Sequence, residues 1–202
     1  MQKARKKTVI GLLGGSFNPA HAGHLSISNY ARKRLGLKQV WWLINPQNPL
    51  KQSNDILPYD QRVAHALKLI KNAHIKLSHF ERQNHLFHSY HTAMRLKSAY
   101  PHYQFIWLMG EDCLQELPRW YRWRDFMRLM PIAVFRRNMP MASKNKQYKR
   151  KNLTADMKLL RPYQYPNKKS RILAYQRPPI WVVFKQPLCP LSSTELRKNN
   201  AI

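Results

Sequence analysis

Apolar residues follow two alternating patterns along the chain. Short continuous runs, such as QFIWLM at 104–109, are typical of strands that are buried on both faces of a sheet. Between them, apolar residues recur every three or four positions, as expected for helices with one buried face. The pattern predicts strands at 9–13, 39–44, 75–77, 104–109, 132–135 and 180–184, and helices near 23–35, 58–71, 89–100, 113–117 and 124–129.

Local signals indicate where the first helix ends and which face of the second is buried. Three cationic residues at 32–34 suit the negative end of a helix dipole, and Gly36 follows at the position where a left-handed residue closes a helix. Val63, Leu67 and Ile70 are spaced as the buried stripe of the second helix.

The alternation of strands with helices predicts an α/β fold: a Rossmann-like, doubly wound parallel sheet with helices on both faces. A length of 202 residues suits one domain over 1–202. The segment from Arg137 to Arg177 is rich in Lys, Arg, Asn, Gln and Pro, and we expect it to be a basic, peripheral and partly mobile insertion. Ligands of such sheets bind beyond the carboxyl ends of the strands, so the residues that follow each strand are the candidates for function.

The charge balance is strongly basic, with 36 Lys and Arg against 9 Asp and Glu, a net charge of +27. Such a charge favours anionic partners. The cations are scattered and no recognised nucleic-acid motif accompanies them, which disfavours nucleic acid as a dedicated partner. No apolar run approaches the roughly 18 residues that cross a membrane, and the two cysteines suggest neither a disulfide framework nor a cysteine zinc site. We therefore expect a cytoplasmic protein without a membrane partner.

The segment GGSFNPAHAGHL, residues 14–25, follows the first predicted strand and begins the first helix. Glycines let a backbone approach phosphate, and a helix N-terminus offers N–H groups and a positive dipole end. His21 and His24, three residues apart, would face the same place and could donate hydrogen bonds to phosphate oxygens. The loop residues of this predicted phosphate site are Gly14, Gly15, Ser16 and Phe17.

Simpler interpretations of that segment exist. HxxH could be half of a metal site, but no further ligands follow at a suitable spacing, and the glycines could form only a tight turn. Neither GxGxxG nor GxxxxGK[ST] occurs, so an ordinary dinucleotide site or P-loop is not indicated.

A second candidate anion site lies near the end of the chain, in LSSTELR at 191–197. Ser192 and Glu195 form a capping-box pattern that predicts the start of a helix. The hydroxyls of Ser192 and Ser193, with Arg197 one turn later, would provide donors for phosphate. A capped helix without a ligand is the alternative.

GGSFNPAHAGHL resembles the GG[ST]FDPxHxGH signature of the HxGH nucleotidyltransferase superfamily, and LSSTELR resembles its ISSTxIR motif. The resemblance is closest to bacterial nicotinate-nucleotide adenylyltransferases, although Asn18 stands where many members have Asp. It implies a nucleotidyltransferase fold and transfer of AMP from ATP to nicotinate mononucleotide. The products would be deamido-NAD and pyrophosphate, in NAD biosynthesis, with Mg²⁺ carried on ATP. His21, His24 and Arg197 would be the catalytic residues.

Three further matches follow from the resemblance. Gly110 and Asp112, with Trp120, resemble the GxDxxxxxxxW stretch, in which the first two lie on the ATP side and the tryptophan stacks on the pyridine ring. Stacking suits Trp120 because an indole face attracts a cationic pyridinium, although Trp120 and Trp123 could also be simple packing residues, as we expect for Trp123. The mononucleotide candidates from the two weaker matches, NPQNPLK and HTAMRL, are Asn45, Lys51 and Thr92.

The reaction needs no protein base, because the attacking phosphate and the leaving pyrophosphate are both anionic. Alternatives within the superfamily take nicotinamide mononucleotide or phosphopantetheine as acceptor. An alternative from another class is a basic nucleic-acid-binding protein, which only the net charge supports. The sequence leaves the oligomeric state open, a homo-oligomer included.

Overall fold

The computed structural model describes residues 7–47, 56–137 and 161–186. Its strands and helices lie close to the predicted ones, with one additional short helix after the third strand. The elements are β1 (Thr8–Gly15), α1 (Ala22–Leu35), β2 (Gln39–Ile44), α2 (Tyr59–Leu69), β3 (Ile75–Ser78), α3 (Phe80–Gln83), α4 (Ser89–Ala99), β4 (Tyr103–Gly110), α5 (Glu111–Glu116), α6 (Trp123–Leu129), β5 (Ile132–Arg137) and β6 (Trp181–Gln186).

All of these strands pair in parallel in one sheet of order β3-β2-β1-β4-β5-β6. The chain runs outward from β1 to β3, returns to the other side of β1 with β4, and then continues outward to β6. The direction of winding therefore reverses between β1 and β4, where such sheets hold their ligands at the carboxyl ends. This order confirms the predicted Rossmann-like, doubly wound fold.

The sheet is covered on both faces, as its apolar strands predict. Val9 and Leu13 of β1 join the core that α1 covers, whereas Ile10 and Leu12 point into the core beneath α4 and α6. Side chains that alternate between two buried cores make β1 a central, rigid support for the loop that follows it.

Helix α1 ends where the sequence predicts. Gly36 adopts the left-handed conformation, with a φ of 66°, and its N–H bonds to the carbonyl of Arg32. Three basic residues occupy the last turn, at the negative end of the dipole. No helix within 7–47, 56–137 and 161–186 is long and apolar enough to span a bilayer.

The predicted buried stripe of α2 is wrong at Leu67. Leu67 is 55% exposed, and the fully buried positions are Ala66 and Arg62. Val63 and Ile70 are partly buried and pack against the core. The hydrophobic pattern misplaced this face because the most buried long side chain of α2 is a charged one.

The structure describes residues 161–177 of the predicted peripheral insertion, and the insertion as a whole stays a prediction. Residues 161–177 contain two 3-10 helices, Arg161–Tyr163 and Asn167–Tyr175, and the second packs against α1, β4 and β6. Leu173 is fully buried in the core beneath α1. The basic composition of this segment did not indicate its packing against the core, because only a few apolar side chains make that contact. The remaining residues of the predicted insertion, 138–160, lie outside the described residues.

Candidate functional site

The loops that follow β1, β2 and β4 lie together at one edge of the sheet. Gly15, the last residue of β1, pairs with Ile44 at the end of β2, and the N–H of Asn45 donates to the carbonyl of Gly15 at 3.0 Å. Gly110 ends β4, the neighbour of β1 on its other side. The topology thus brings three of the predicted site segments to the crevice between β1 and β4.

His21 and His24 cap the start of α1 reciprocally. The N–H of Gly23 donates to Nδ1 of His21 at 3.1 Å, and the N–H of His21 donates to Nδ1 of His24 at 3.1 Å. Each Nδ1 accepts a hydrogen bond and therefore carries no proton, so in the neutral rings the proton is on Nε2. The local structure of α1 thus makes Nε2 the donor atom of both imidazoles.

The two imidazoles lie side by side on an aromatic support. Their ring centroids are 4.0 Å apart, as the spacing of three residues predicts. Beneath His24 the Phe17 ring lies at 4.5 Å, and Phe17 in turn stacks on Trp42 at 5.0 Å. The Trp42 indole N–H donates to Ser28 Oγ at 2.8 Å, which fixes the support to α1. Phe17 therefore orients His24 through packing, with a backbone φ of 48° that few bulky residues adopt.

The two glycines of the loop have different surroundings. A Cβ on Gly14 would lie 2.7 Å from Cζ2 of Trp107, so Trp107 can pack there only against a glycine. A Cβ on Gly15 would make an ordinary 3.6 Å contact with the Phe17 ring. Ser16 is buried, and its carbonyl accepts a hydrogen bond from Arg62. Contact of Gly14, Gly15 and Ser16 with ATP stays a prediction.

The side chain of Thr92 lies inside the protein and is bonded to a neighbouring helix. It is fully buried in α4, and its hydroxyl donates to Oε1 of Glu81 at 2.8 Å. Contact of Thr92 with the mononucleotide stays a prediction. Helix α4 begins at Ser89, and Thr92 lies one turn inside it, where it supports the helix start. Burial raises the pKa of the Glu81 carboxyl to about 7, although the hydrogen bond from Thr92 opposes the shift.

Asn45 connects the loop after β2 to the segment before α4. Its side-chain amide donates to the carbonyl of Phe87 at 3.4 Å, and its own carbonyl accepts from Arg62. The loop is therefore held from both sides. Contact of Asn45 with the mononucleotide stays a prediction.

The aromatic residues after α5 divide as predicted into one buried and one partly exposed tryptophan. Trp123 is buried, which confirms its structural role, whereas Trp120 is half-buried and tilted against Phe126 at 5.8 Å. The neighbouring Tyr121 ring lies 4.8 Å from His88 and 5.2 Å from His91.

Burial lowers the pKa of His88, and the adjacent His91 lowers it further, which favours a neutral imidazole. The sequence reasoning missed these two histidines. Their spacing of three at a helix start is the signal that could have found them.

Gly110 caps α5, and Asp112 lies half-buried in its first turn, next to Glu111, which pairs with Arg136 at 2.9 Å. Within the residues that the structure describes, no three His, Cys, Asp or Glu side chains form a group that could hold a metal ion. The predicted residues Lys51, Ser192, Ser193 and Arg197 lie outside the described residues.

Of the residues at the candidate site, Arg62 is the one whose burial is least predictable from the sequence. Only 1% of this residue is exposed, and its guanidinium donates to carbonyls in the loops after β1 and β2. A single arginine near an apolar stripe is a weak signal, since arginine on a helix is usually at the surface.

Comparisons with known proteins agree with this geometry. The model of the cytidylyltransferase-like family matches residues 12–199. A probable nicotinate-nucleotide adenylyltransferase of Agrobacterium fabrum is 35% identical over 193 residues, which cover 95% of this chain and 99% of that protein. One of Rhizobium etli is 37% identical over 194 residues, or 96% and 97% of the two chains.

The fold is shared with the solved structure of Plasmodium falciparum nicotinic acid mononucleotide adenylyltransferase complexed with NaAD. The TM-score is 0.67 at 17% identity, over 95% of this chain and 83% of that one. The matching family model and the extent of the similarity to the two bacterial relatives decide the assignment. The chain belongs to the cytidylyltransferase-like family and, within it, to the nicotinate-nucleotide adenylyltransferases.

Proposed function

We propose that this protein transfers AMP from ATP to nicotinate mononucleotide, giving deamido-NAD and pyrophosphate. The observation that carries the proposal is the histidine pair at the start of α1. Its capping bonds leave Nε2 as the donor atom of both rings, beside the carboxyl ends of β1 and β4. Hydrogen-bond donors at a helix N-terminus suit a polyphosphate.

The chemistry is a displacement at the α-phosphorus of ATP. An oxygen of the mononucleotide 5′-phosphate forms a bond to that phosphorus, the bond to the bridging oxygen breaks, and pyrophosphate leaves with the electron pair. His21 and His24 stabilise the charge that develops on the phosphate oxygens, together with the dipole of α1. Ser192, Ser193 and Arg197 would hold the β and γ phosphates.

The proposal includes Mg²⁺ carried with ATP. Mg²⁺ keeps much of its coordination to substrate phosphates and water, so it demands few protein ligands. Its chemistry at this site would be to neutralise charge on the phosphates. Asp112 in the first turn of α5 is the acidic residue that we assign to the ATP side, with Gly110 before it.

The acceptor subsite is assigned to the aromatic segment after α5. Trp120 is half-buried, so part of its ring is available to stack on a pyridinium. Asn45 and Lys51 would complete this subsite from the loop after β2. The sequence contains only two cysteines, which is compatible with a reducing, cytoplasmic location, and we include that location in the proposal.

A pyrophosphate-release assay with three acceptors tests the proposal. The protein is incubated with ATP, Mg²⁺ and either nicotinate mononucleotide, nicotinamide mononucleotide or phosphopantetheine. We expect the highest kcat/KM with nicotinate mononucleotide and formation of deamido-NAD in equal amount to pyrophosphate. A higher kcat/KM with either of the other acceptors would reassign the substrate, and no release with any of them would contradict the proposal.

A further inference from the structure

Arg62 is the most buried charged side chain at the candidate site. It lies in the first turn of α2 and is 1% exposed. No ion pair found within the described residues includes it, so its charge faces neutral acceptors there. Burial lowers the pKa of the guanidinium, but arginine remains protonated at neutral pH in proteins.

Among the residues that the structure describes, the guanidinium of Arg62 donates four hydrogen bonds, and each of these acceptors is a main-chain carbonyl. Nη1 bonds to Ser16 at 2.6 Å and to Asn45 at 2.8 Å. Nη2 bonds to Pro46 at 3.1 Å, and Nε bonds to Leu57 at 2.9 Å. One planar group thus joins the loop after β1, the loop after β2 and the segment before α2.

A second hydrogen bond ties two of these segments together, the loop after β1 and the segment before α2. The N–H of Leu57 donates to Oδ1 of Asn18 at 2.9 Å, while the carbonyl of Leu57 accepts from Arg62. The peptide groups of Leu57 are therefore held by side chains on both sides. Because Asn18 follows Ser16 and Phe17, the network continues directly into the loop that supports His24.

We propose that Arg62 is a positioning residue that sets the separation between the loop at Ser16–Phe17 and the loop at Asn45–Pro46. The inference rests on the proposed function, in which the first loop lies under ATP and the second meets the mononucleotide. In a displacement between two bound phosphates, the rate depends on how the nucleophile and the phosphorus are aligned. Arg62 touches neither substrate in this assignment and acts through the two loops.

This role predicts different effects on kcat and on the affinity for each substrate. If Arg62 sets the relative position of two sites, its loss lowers kcat, while each substrate alone still binds its own loop. A misplacement of about 1 Å can cost roughly 100-fold in rate. A merely structural role would weaken both binding sites together.

The test compares Arg62→Lys and Arg62→Met with the control Arg82→Gln. Lysine keeps the charge but cannot bond four carbonyls in one plane. Arg82 lies over the Tyr59 ring, at 4.5 Å. Its side chain is exposed and bonds to Asp60. For each protein, kcat is measured by pyrophosphate release and the Kd of each substrate alone by tryptophan fluorescence, with circular dichroism as the check of folding.

We expect both Arg62 variants to lose about 10- to 100-fold in kcat, with each Kd within about threefold of the wild-type value. Arg82→Gln should match the wild type. An unchanged kcat in the Arg62 variants overturns the inference, and so does a parallel loss of both affinities.

If the Arg62 variants do not fold, Asn18→Ala decides, because it removes the bond to Leu57 and leaves the Arg62 side chain in place. A lower kcat with retained affinities then supports the inference, and an unchanged kcat overturns it. The wild-type protein is assayed first. A wild type without adenylyl transfer to any acceptor refutes the proposed function and this inference with it, whereas an active wild type with equally active variants refutes the inference alone.

Discussion

Each imidazole at the start of α1 uses its two nitrogens for different purposes. Nδ1 of His24 accepts the N–H of His21 and so completes the helix cap, while Nε2 carries the proton of the neutral ring and is the donor that the proposed function assigns to phosphate. Side-chain amides can imitate one nitrogen at a time, since the Asn amide lies near the position of Nδ1 and the longer Gln amide near that of Nε2. The two roles of His24 can therefore be separated.

We predict that two substitutions of His24 have opposite effects on the free energy of unfolding and on kcat. His24→Asn should keep the cap and the free energy of unfolding to within about 0.5 kcal/mol, but lower kcat by about 100-fold or more. His24→Gln should lose the cap, at about 1 kcal/mol, and keep more activity than His24→Asn. Urea unfolding and pyrophosphate release provide the two measurements. Near-wild-type turnover in His24→Asn would show that Nε2 has no catalytic part.

Glu81 has a predicted effect on stability as a function of pH. Its folded-state pKa of about 7 lies above the usual 4.5, so the folded protein holds a proton that the unfolded chain releases between these values. The resulting stabilisation is fully present below about pH 4.5 and is lost as the pH rises through 7. It amounts to about 3 kcal/mol at most.

Replacing Glu81 by glutamine should remove this dependence. Glu81→Gln keeps an acceptor for the Thr92 hydroxyl and has no titrating group, so its unfolding free energy should fall less than the wild-type value between pH 5 and pH 8. The exposed Glu116→Gln is the matched control and should follow the wild type. Identical pH profiles for Glu81→Gln and the wild type would contradict a raised pKa.

At the scale of elements, the ends of β1 and α1 were predictable because glycines, capping residues and charges act locally. The orientation of α2 was not, since it depends on carbonyl groups of distant loops that converge on Arg62. The hydrogen bond from Thr92 was not predictable for a similar reason, because its partner Glu81 lies in another helix. Sequence patterns thus indicate where elements begin and end, whereas polar burial is decided by partners brought near only in the fold.

The end of β1 permits a comparison of two adjacent glycines. We predict that Gly14→Ala lowers the free energy of unfolding by about 1–3 kcal/mol, because its Cβ would lie 2.7 Å from Trp107 and force the core apart. Gly15→Ala, with an ordinary 3.6 Å contact, should stay within about 1 kcal/mol of the wild type. Urea unfolding measures the free energy of unfolding of both variants. Equal losses would show that packing against Trp107 is not what requires glycine at position 14.

At the scale of the whole molecule, the dominant property is a net charge of +27. Both proposed substrates are anions, so a long-range positive field should increase their rate of capture. A dedicated polyanion partner would use the same charge differently, through many close phosphate contacts whose loss with salt is steep. The electrostatic field is the sum of the charges along the whole chain, so the amino-acid composition predicts it. The geometry of the crevice between β1 and β4 is known only from the fold.

If the net charge aids the capture of substrates, kcat/KM and kcat should respond differently to salt. Raising NaCl from about 20 to about 200 mM shortens the screening length from roughly 20 Å to roughly 7 Å, so the field no longer extends far from the surface. We expect kcat/KM for ATP to fall several-fold, while kcat changes little because the bound phosphates are held by short contacts that salt screens less. Sucrose at equal osmolality is the control and should not reproduce the fall. A constant kcat/KM would mean that the excess charge has no part in substrate capture, and salt-steep binding of RNA in a filter assay would then favour a nucleic-acid partner as its reason.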